Sequence, residues 1–402
     1  MNAAHDPVVI VSASRTPLGG FLGALSSLTA PQLGAAAITG ALDRSAIDAA
    51  LVDEAYMGCV LPAGQGQAPA RQAALAGGLP RSCGATTVSK VCGSGMKAVM
   101  LAHDSLLAGS AGIAVAGGME SMSNAPYLLG RARAGYRLGH ERVIDHMFMD
   151  GLEDAYADRG TLMGVFAEQC ADEYGFDRDT QDAWAMRSLL RAREADASGA
   201  FEWEIAPLEV AAKGRGEAAA RIASDEPPRL ARPEKIASLK PAFRRDGTVT
   251  AANASSISDG AAALLLMRAS RADALGLTPL ARIAAHATHA GEPKRFPMAP
   301  AFAIRDVIER SGWRAADVDL YEINEAFAVV TLAAISDLAL DPDTVNVHGG
   351  ACALGHPIGA TGARLLVTLL GALRHAGGRR GVASLCIGGG EATAVALELW
   401  RE

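Results

Sequence analysis

Thr87-Val88-Ser89-Lys90-Val91-Cys92-Gly93-Ser94-Gly95-Met96-Lys97-Ala98 brings two periodicities together around one cysteine. The run before Cys92 is β-rich, whereas Met96, Val99, Met100, His103 and Leu107 after it fall at helical spacing. Cys92 therefore lies at or near a helix N-terminus, where aligned peptide dipoles and unpaired N–H groups favour a thiolate over a thiol. Gly93 and Gly95 remove side chains, so a second backbone or a substrate can come close. A cysteine packed as a small buried hydrophobe would give the same local sequence, so this stretch alone leaves both readings open.

Working outward, strands and helices alternate. Val8-Val9-Ile10-Val11-Ser12-Ala13 reads as a buried strand, 31–42 as an Ala-rich helix, 53–60 as a strand and 69–76 as a helix. The helix after Cys92 ends near Gly109, and 112–116 is a buried strand closing in Gly117-Gly118-Met119-Glu120. That order argues for a layered α/β domain. From 121 to 247 charge rises, strand signals thin out, and Pro207, Pro227, Pro228, Pro233 and Pro241 punctuate the chain. One amphipathic helix is expected at 179–197 and loops elsewhere. So long an excursion inside an α/β enzyme is usually functional, here as a substrate lid or coenzyme-binding segment.

After Thr248 the α/β pattern resumes and echoes the first half. Residues 279–285 resemble 7–13, and 318–324 resemble 52–58. A strand at 344–350 leads to Gly355-His356-Pro357-Ile358-Gly359, then a helix carrying Leu365, Leu366, Leu369, Leu370 and Leu373 that stops at Gly377-Gly378. A strand at 382–387 ends in Gly388-Gly389-Gly390, as the strand after Cys92 ends in Gly117-Gly118. The shared order of elements implies a duplicated domain whose equivalent loops meet near one site.

At 402 residues the chain can bury a large core, and 50% hydrophobic with 20% charged residues is the balance of a soluble globular enzyme. The net charge of −7 is spread along the chain, which speaks against nucleic acid as a partner. No apolar run approaches the roughly 20 residues a membrane helix needs. Residues 1–7 carry no basic leader, and Trp400-Arg401-Glu402 is not a peroxisomal tail. Cys59, Cys83, Cys92, Cys170, Cys352 and Cys386 are too sparse for a disulfide framework and lack paired metal-ligand spacing, so a reducing cytoplasm is the expected location.

Four polar residues stand in comparable contexts at strand ends: Cys92, His356, Cys386 and Asn324. Singly, His356 could be a turn residue, Cys386 a core residue and Asn324 a helix cap. Together, across a duplicated fold, they point to one site.

Val91-Cys92-Gly93-Ser94-Gly95, Asn324-Glu325-Ala326-Phe327, Gly355-His356-Pro357 and Cys386-Ile387-Gly388-Gly389-Gly390 resemble the motifs of thiolases, acyltransferases that make and break 3-ketoacyl-CoA. The resemblance covers nearly the whole chain. Thr248-Val249-Thr250-Ala251-Ala252-Asn253-Ala254-Ser255 and Phe296-Pro297-Met298-Ala299-Pro300 look most like the acetoacetyl-CoA branch, which condenses two acetyl-CoA. It implies a layered αβαβα fold of two duplicated α/β halves with mixed sheets plus an inserted loop domain. The halves would be 1–120 with 248–272 and 273–402, around an insertion at 121–247. Cys92 would be the acylated nucleophile, His356 would take its proton, and Cys386 would serve as acid/base at the substrate α-carbon. Gly388 and Cys92 N–H groups would form one oxyanion hole, and His356 with a water held by Asn324 the other.

The resemblance further implies that Ser255 contacts the pantetheine arm and that Leu152, Met163, Ala251, Ala326 and Phe327 form the pocket wall. Arg229 is a candidate for the coenzyme 3′-phosphate. The implied partners are acetyl-CoA, CoA and further copies of the chain in a homotetramer, with no metal and no cofactor beyond the thioester substrates. The sequence departs from the family at Leu162-Met163-Gly164, where His-Met-Gly is common, at His348, at Glu391 and at Pro227-Pro228. These changes bear on chain length, and a thiolase acting on longer 3-ketoacyl-CoA is the alternative. A decarboxylating condensing enzyme would carry histidine or asparagine in place of Cys386. A non-catalytic acyl-CoA-binding relative would not need both cysteines, His356 and Asn324.

Overall fold

The computed structural model describes residues 6–156, 158–211 and 219–401. The readings on residues 1–7 and 400–402 thus fall partly outside the described residues.

The first half supplies β1 (Val8–Arg15), α1 (Ala30–Ser45), β2 (Glu54–Gly58), α2 (Pro69–Ala76), β3 (Gly84–Val88), α3 (Ser94–Ala108) and β4 (Ile113–Ser121). The excursion carries α4 (Met163–Tyr174) and α5 (Arg178–Ala197) before β5 (Ser258–Arg268) returns to the sheet. The second half adds β6 (Ala281–Ala290), α6 (Ala299–Arg310), β7 (Leu320–Ile323), α7 (Ala328–Leu338), α8 (Thr361–Ala376), β8 (Arg380–Ile387) and β9 (Glu391–Leu399).

The strands run in the order β7-β8-β9-β6-β1-β5-β4-β2-β3, with Gly19–Gly20 paired to β5. β2 is parallel to β3 and β4, and β7 is parallel to β8. The other pairings of this order are antiparallel. Thus β6, β7, β8 and β9 repeat the places of β1, β2, β4 and β5. Among the described residues the two sets of strands pair where Val9 faces Arg282 and Ile10 faces Ala281.

Period-2 alternation sorts the side chains into layers. Val8 and Ile10 of β1 and Val395 and Leu397 of β9 share one core with Met96, Val99 and Met100 of α3 and with the leucines of α8. Val9 and Val11 point the other way, onto Leu33, Ile38 and Ala73 of α1 and α2. Ala394 and Ala396 do likewise, toward Ala303, Ile304 and Val307 of α6. The result is five layers, α/β/α/β/α. α8 is apolar nearly all round because it lies in the middle layer, with residues 361–373 buried.

Two local expectations fail. Residues 344–350 form no strand: Val345 makes a single parallel bridge to Tyr321. Asn346, at φ +50°, takes over the pairing, its Oδ1 accepting from Ile323 N at 2.8 Å and its Nδ2 donating to Ile323 O at 2.8 Å. The excursion is also more ordered than its prolines suggest. α4 forms because Phe166, Ala167, Cys170 and Ala171 bury one face against Phe296 and Phe327.

Candidate active site

The turn before α3 is strained. Val91 sits at φ +45°, a region β-branched residues rarely enter. Ser94 holds it there: its hydroxyl accepts from Lys90 N at 2.8 Å and donates to Val91 O at 2.6 Å. A Cβ on Gly93 would lie 2.3 Å from Ile387 Cδ1, so a side chain here would displace the Ile387 side chain at the end of β8 from this turn. Lys90 and Glu391 form an ion pair across the same seam.

Half-buried Cys92 is not a resting thiolate. Burial pushes its thiol up to about 11, against the lowering effect of the Gly388 N–H and its own N–H. Desolvation outweighs the helix terminus, which corrects the sequence expectation. The proton must therefore leave during reaction, and a base is needed.

His356 meets that need. Burial, reinforced by the Arg364 charge, lowers it to about 3 and keeps it neutral. Its Nδ1 is 2.7 Å from Thr361 Oγ1, which lies 2.9 Å from Pro357 O. The single hydroxyl proton goes to that carbonyl, so the hydroxyl accepts from Nδ1–H. This assigns the tautomer and leaves Nε2 with a free lone pair. Asn324 Nδ2 lies 3.5 Å from Nε2, and its buried Oδ1 has no hydrogen-bond partner among the described residues.

Cys386 is buried one residue from the end of β8, opposite Ala392 of β9. Burial first, then the neighbouring Cys92 sulfur, hold its thiol well above the ordinary range. The turn that follows uses Gly389 and Gly390 at φ +98° and +84°.

A cavity of about 370 Å³ brings Cys92, His356, Cys386 and Gly388 onto one wall system with Leu152, Met163, Ala251, Ser255, Ala326 and Phe327. Asn324 joins through its contact with His356. Phe148, Leu162, Phe243 and Ile358 also line it. A second cavity of about 300 Å³ shares Ala251 and Ser256 with the first and is lined by Arg232 and Lys235. Arg229 is exposed and donates to Ser224 Oγ at 2.6 Å.

Three supporting residues escaped the sequence reading. Thr361 is one. Buried Glu120, at the end of β4, accepts from Val60 N at 2.9 Å, Leu61 N at 3.2 Å and Gly359 N at 2.9 Å, tying the His356 loop to the loop after β2. Glu325 accepts from Trp184 Nε1 at 2.9 Å, Ser188 Oγ at 2.8 Å, Asn346 Nδ2 at 2.8 Å and Cys352 N at 3.0 Å, locking the residue beside Asn324. An acid inside an otherwise apolar or glycine-rich run was the available signal. Such an arrangement, a protonated nucleophile beside a neutral base, a second thiol and backbone N–H donors, suits acyl transfer through a thioester.

A family model described as "Thiolase, N-terminal domain" matches residues 8–270, and one described as "Thiolase, C-terminal domain" matches 277–399. Acetyl-CoA acetyltransferase 1 of Arabidopsis thaliana is 53% identical over 396 residues, 98% of this chain and 95% of that one. The cytosolic acetyl-CoA acetyltransferase of Gibberella zeae is 45% identical over 98% of both chains. The mitochondrial acetyl-CoA acetyltransferase of Mus musculus is 47% identical over 98% of this chain and 91% of its own.

Proposed function

The chain belongs to the thiolase family, and from that premise we propose that it catalyses the reversible condensation of two acetyl-CoA to acetoacetyl-CoA and CoA. The observation that carries this is the convergence of Cys92, Cys386, Gly388 and a neutral His356 with Nε2 free on one apolar cavity.

In the proposed sequence Cys92 Sγ attacks the acetyl carbonyl as His356 Nε2 takes its proton, and CoA leaves as a thiolate that takes the proton of the Cys386 thiol, so Cys386 becomes the thiolate. A second acetyl-CoA gives its α-proton to the Cys386 thiolate, and its carbon attacks the acetyl-Cys92 carbonyl. Acetoacetyl-CoA departs as the bond to Cys92 Sγ breaks, and His356 returns its proton to restore the Cys92 thiol. The N–H groups of Cys92 and Gly388 stabilise the oxyanion on the acyl-enzyme. His356 with a water on Asn324 serves the thioester enolate, supported by the Asn324 contact and its unpartnered Oδ1. No cofactor enters beyond the thioester.

Ser255, Leu152, Met163, Ala251, Ala326 and Phe327 take the pantetheine arm, and the adjoining cavity with Arg232 and Lys235 takes the nucleotide end in place of Arg229. We assign 1–120 with 248–272 and 273–402 as the two halves and 121–247 as the inserted coenzyme-binding segment. Self-association to a tetramer is supported by the exposed side chains of Tyr127, Leu129, Leu138 and Val143. A cytoplasmic location is supported by six free cysteines and the cytosolic fungal relative. No helix among the described residues is long and apolar enough to cross a membrane.

The test is acid quenching after incubation with acetyl-CoA, then peptide mass analysis. One acetyl group on Cys92, absent in Cys92→Ala, is expected; no adduct, or one elsewhere, would overturn the proposal.

A further inference from the structure

We propose that His103, Asp104 and His286 form a second site, away from the catalytic cavity, that binds a zinc-class divalent cation. His286 Nε2 lies 3.2 Å from His103 Nδ1 and 2.9 Å from Asp104 Oδ1, and His103 Nδ1 lies 3.1 Å from Asp104 Oδ1. Three ligand atoms on a tetrahedral zinc with bonds of about 2.0–2.1 Å stand about 3.3 Å apart, so these spacings need little adjustment.

The convergence is not what helix geometry gives by default. Adjacent residues on a helix diverge and do not face one another, yet His103 and Asp104 of α3 both turn toward His286 of β6. The imidazole rings meet edge-on at 4.9 Å between centroids. Their side chains are 12% and 17% exposed and Asp104 is 53% exposed, so two held nitrogens and an open carboxylate give the ion a way in.

Charge also fits. Of the nearby cations, Arg268 is paired to Asp6 at 3.2 Å, and Arg310 reaches the His286 carbonyl at 3.4 Å. Two imidazoles and a carboxylate select borderline ions over calcium or magnesium.

His103 lies about 14 Å along α3 from the turn that carries Cys92. An ion here bridges α3 of the first half to β6 of the second and braces the helix behind the nucleophile. Its role is structural.

The test uses the whole protein, stripped with a chelator and titrated with Co²⁺ as the spectroscopic probe and Zn²⁺ as competitor. The wild type is expected to bind one equivalent per chain with a visible spectrum lacking a thiolate-to-cobalt band. Affinity is expected to fall at least tenfold in His286→Ala and in Asp104→Asn, both still active, and Zn²⁺ should raise the melting temperature of the wild type alone. Absence of binding, equal affinity in the variants, or a thiolate band showing that the ion sits on the catalytic cysteines would overturn the proposal.

Discussion

Replacing Thr361 by valine keeps the side-chain volume of a buried residue and deletes one hydroxyl. That hydroxyl accepts from His356 Nδ1 at 2.7 Å and lies 2.9 Å from the Pro357 carbonyl it donates to. The loss leaves the buried Nδ1–H without an acceptor, at a cost of about 1–3 kcal/mol. The ring can escape by moving its proton to Nε2, which removes the lone pair that receives the Cys92 proton. Either way the penalty falls on the acylation step. At about 1.4 kcal/mol per tenfold, kcat should drop about 5- to 150-fold with KM for acetyl-CoA little changed. Thr361→Ser, which keeps the hydroxyl, should recover most of the loss. Steady-state condensation of acetyl-CoA and rapid-quench acetylation measure both. Unchanged kcat in Thr361→Val, or an equal loss in Thr361→Ser, would refute the tautomer argument.

Glu325→Ala strands three buried donors, each costing about 1–3 kcal/mol, and the half-buried Cys352 N, so thermal unfolding should show a severe loss of stability, with Glu325→Gln milder. Lys235→Ala should raise KM for acetyl-CoA several-fold at low salt and less at high salt, while leaving KM for an acetyl-pantetheine thioester unchanged. His356, neutral down to about pH 3, binds its proton more readily when unfolded, with an ordinary pKa of about 6.5. Its contribution to stability is therefore full above about 6.5 and decays as pH falls toward 3. His356→Asn should lose less stability than wild type over that interval in denaturant titrations.

Much of this was legible in the chain. The repeated order of elements predicted the two halves, because strands and helices buried between layers carry strong apolar periodicity. Glycines marked the strand ends where backbones crowd, as at Gly118, where a Cβ would lie 2.1 Å from Gly359 O. What stayed hidden depends on side chains meeting across long separations. Asn346 substitutes for a strand at β7, and Glu120 joins two loops that lie about 60 and 240 residues from it in sequence. The resting state of Cys92 was misread for a related reason. A helix N-terminus is visible in sequence, whereas the desolvation that overrides it is a property of the assembled cavity. Thr361, four residues after Pro357, looks like an ordinary helix start until its hydroxyl is seen against His356.

The central claim is a division of labour between two cysteines, and Cys386→Ser tests it most directly. Serine keeps the size of the side chain but is a far weaker acid than a thiol, so the α-proton step should slow by a factor of about 10² to 10⁴. The measurement follows, in one reaction, acetylation of Cys92 by acetyl-CoA and exchange of the acetyl methyl protons with deuterated solvent. Acetylation should stay within about tenfold of wild type, while exchange and condensation fall together. Normal condensation in the variant, or acetylation lost as severely as condensation, would contradict the account.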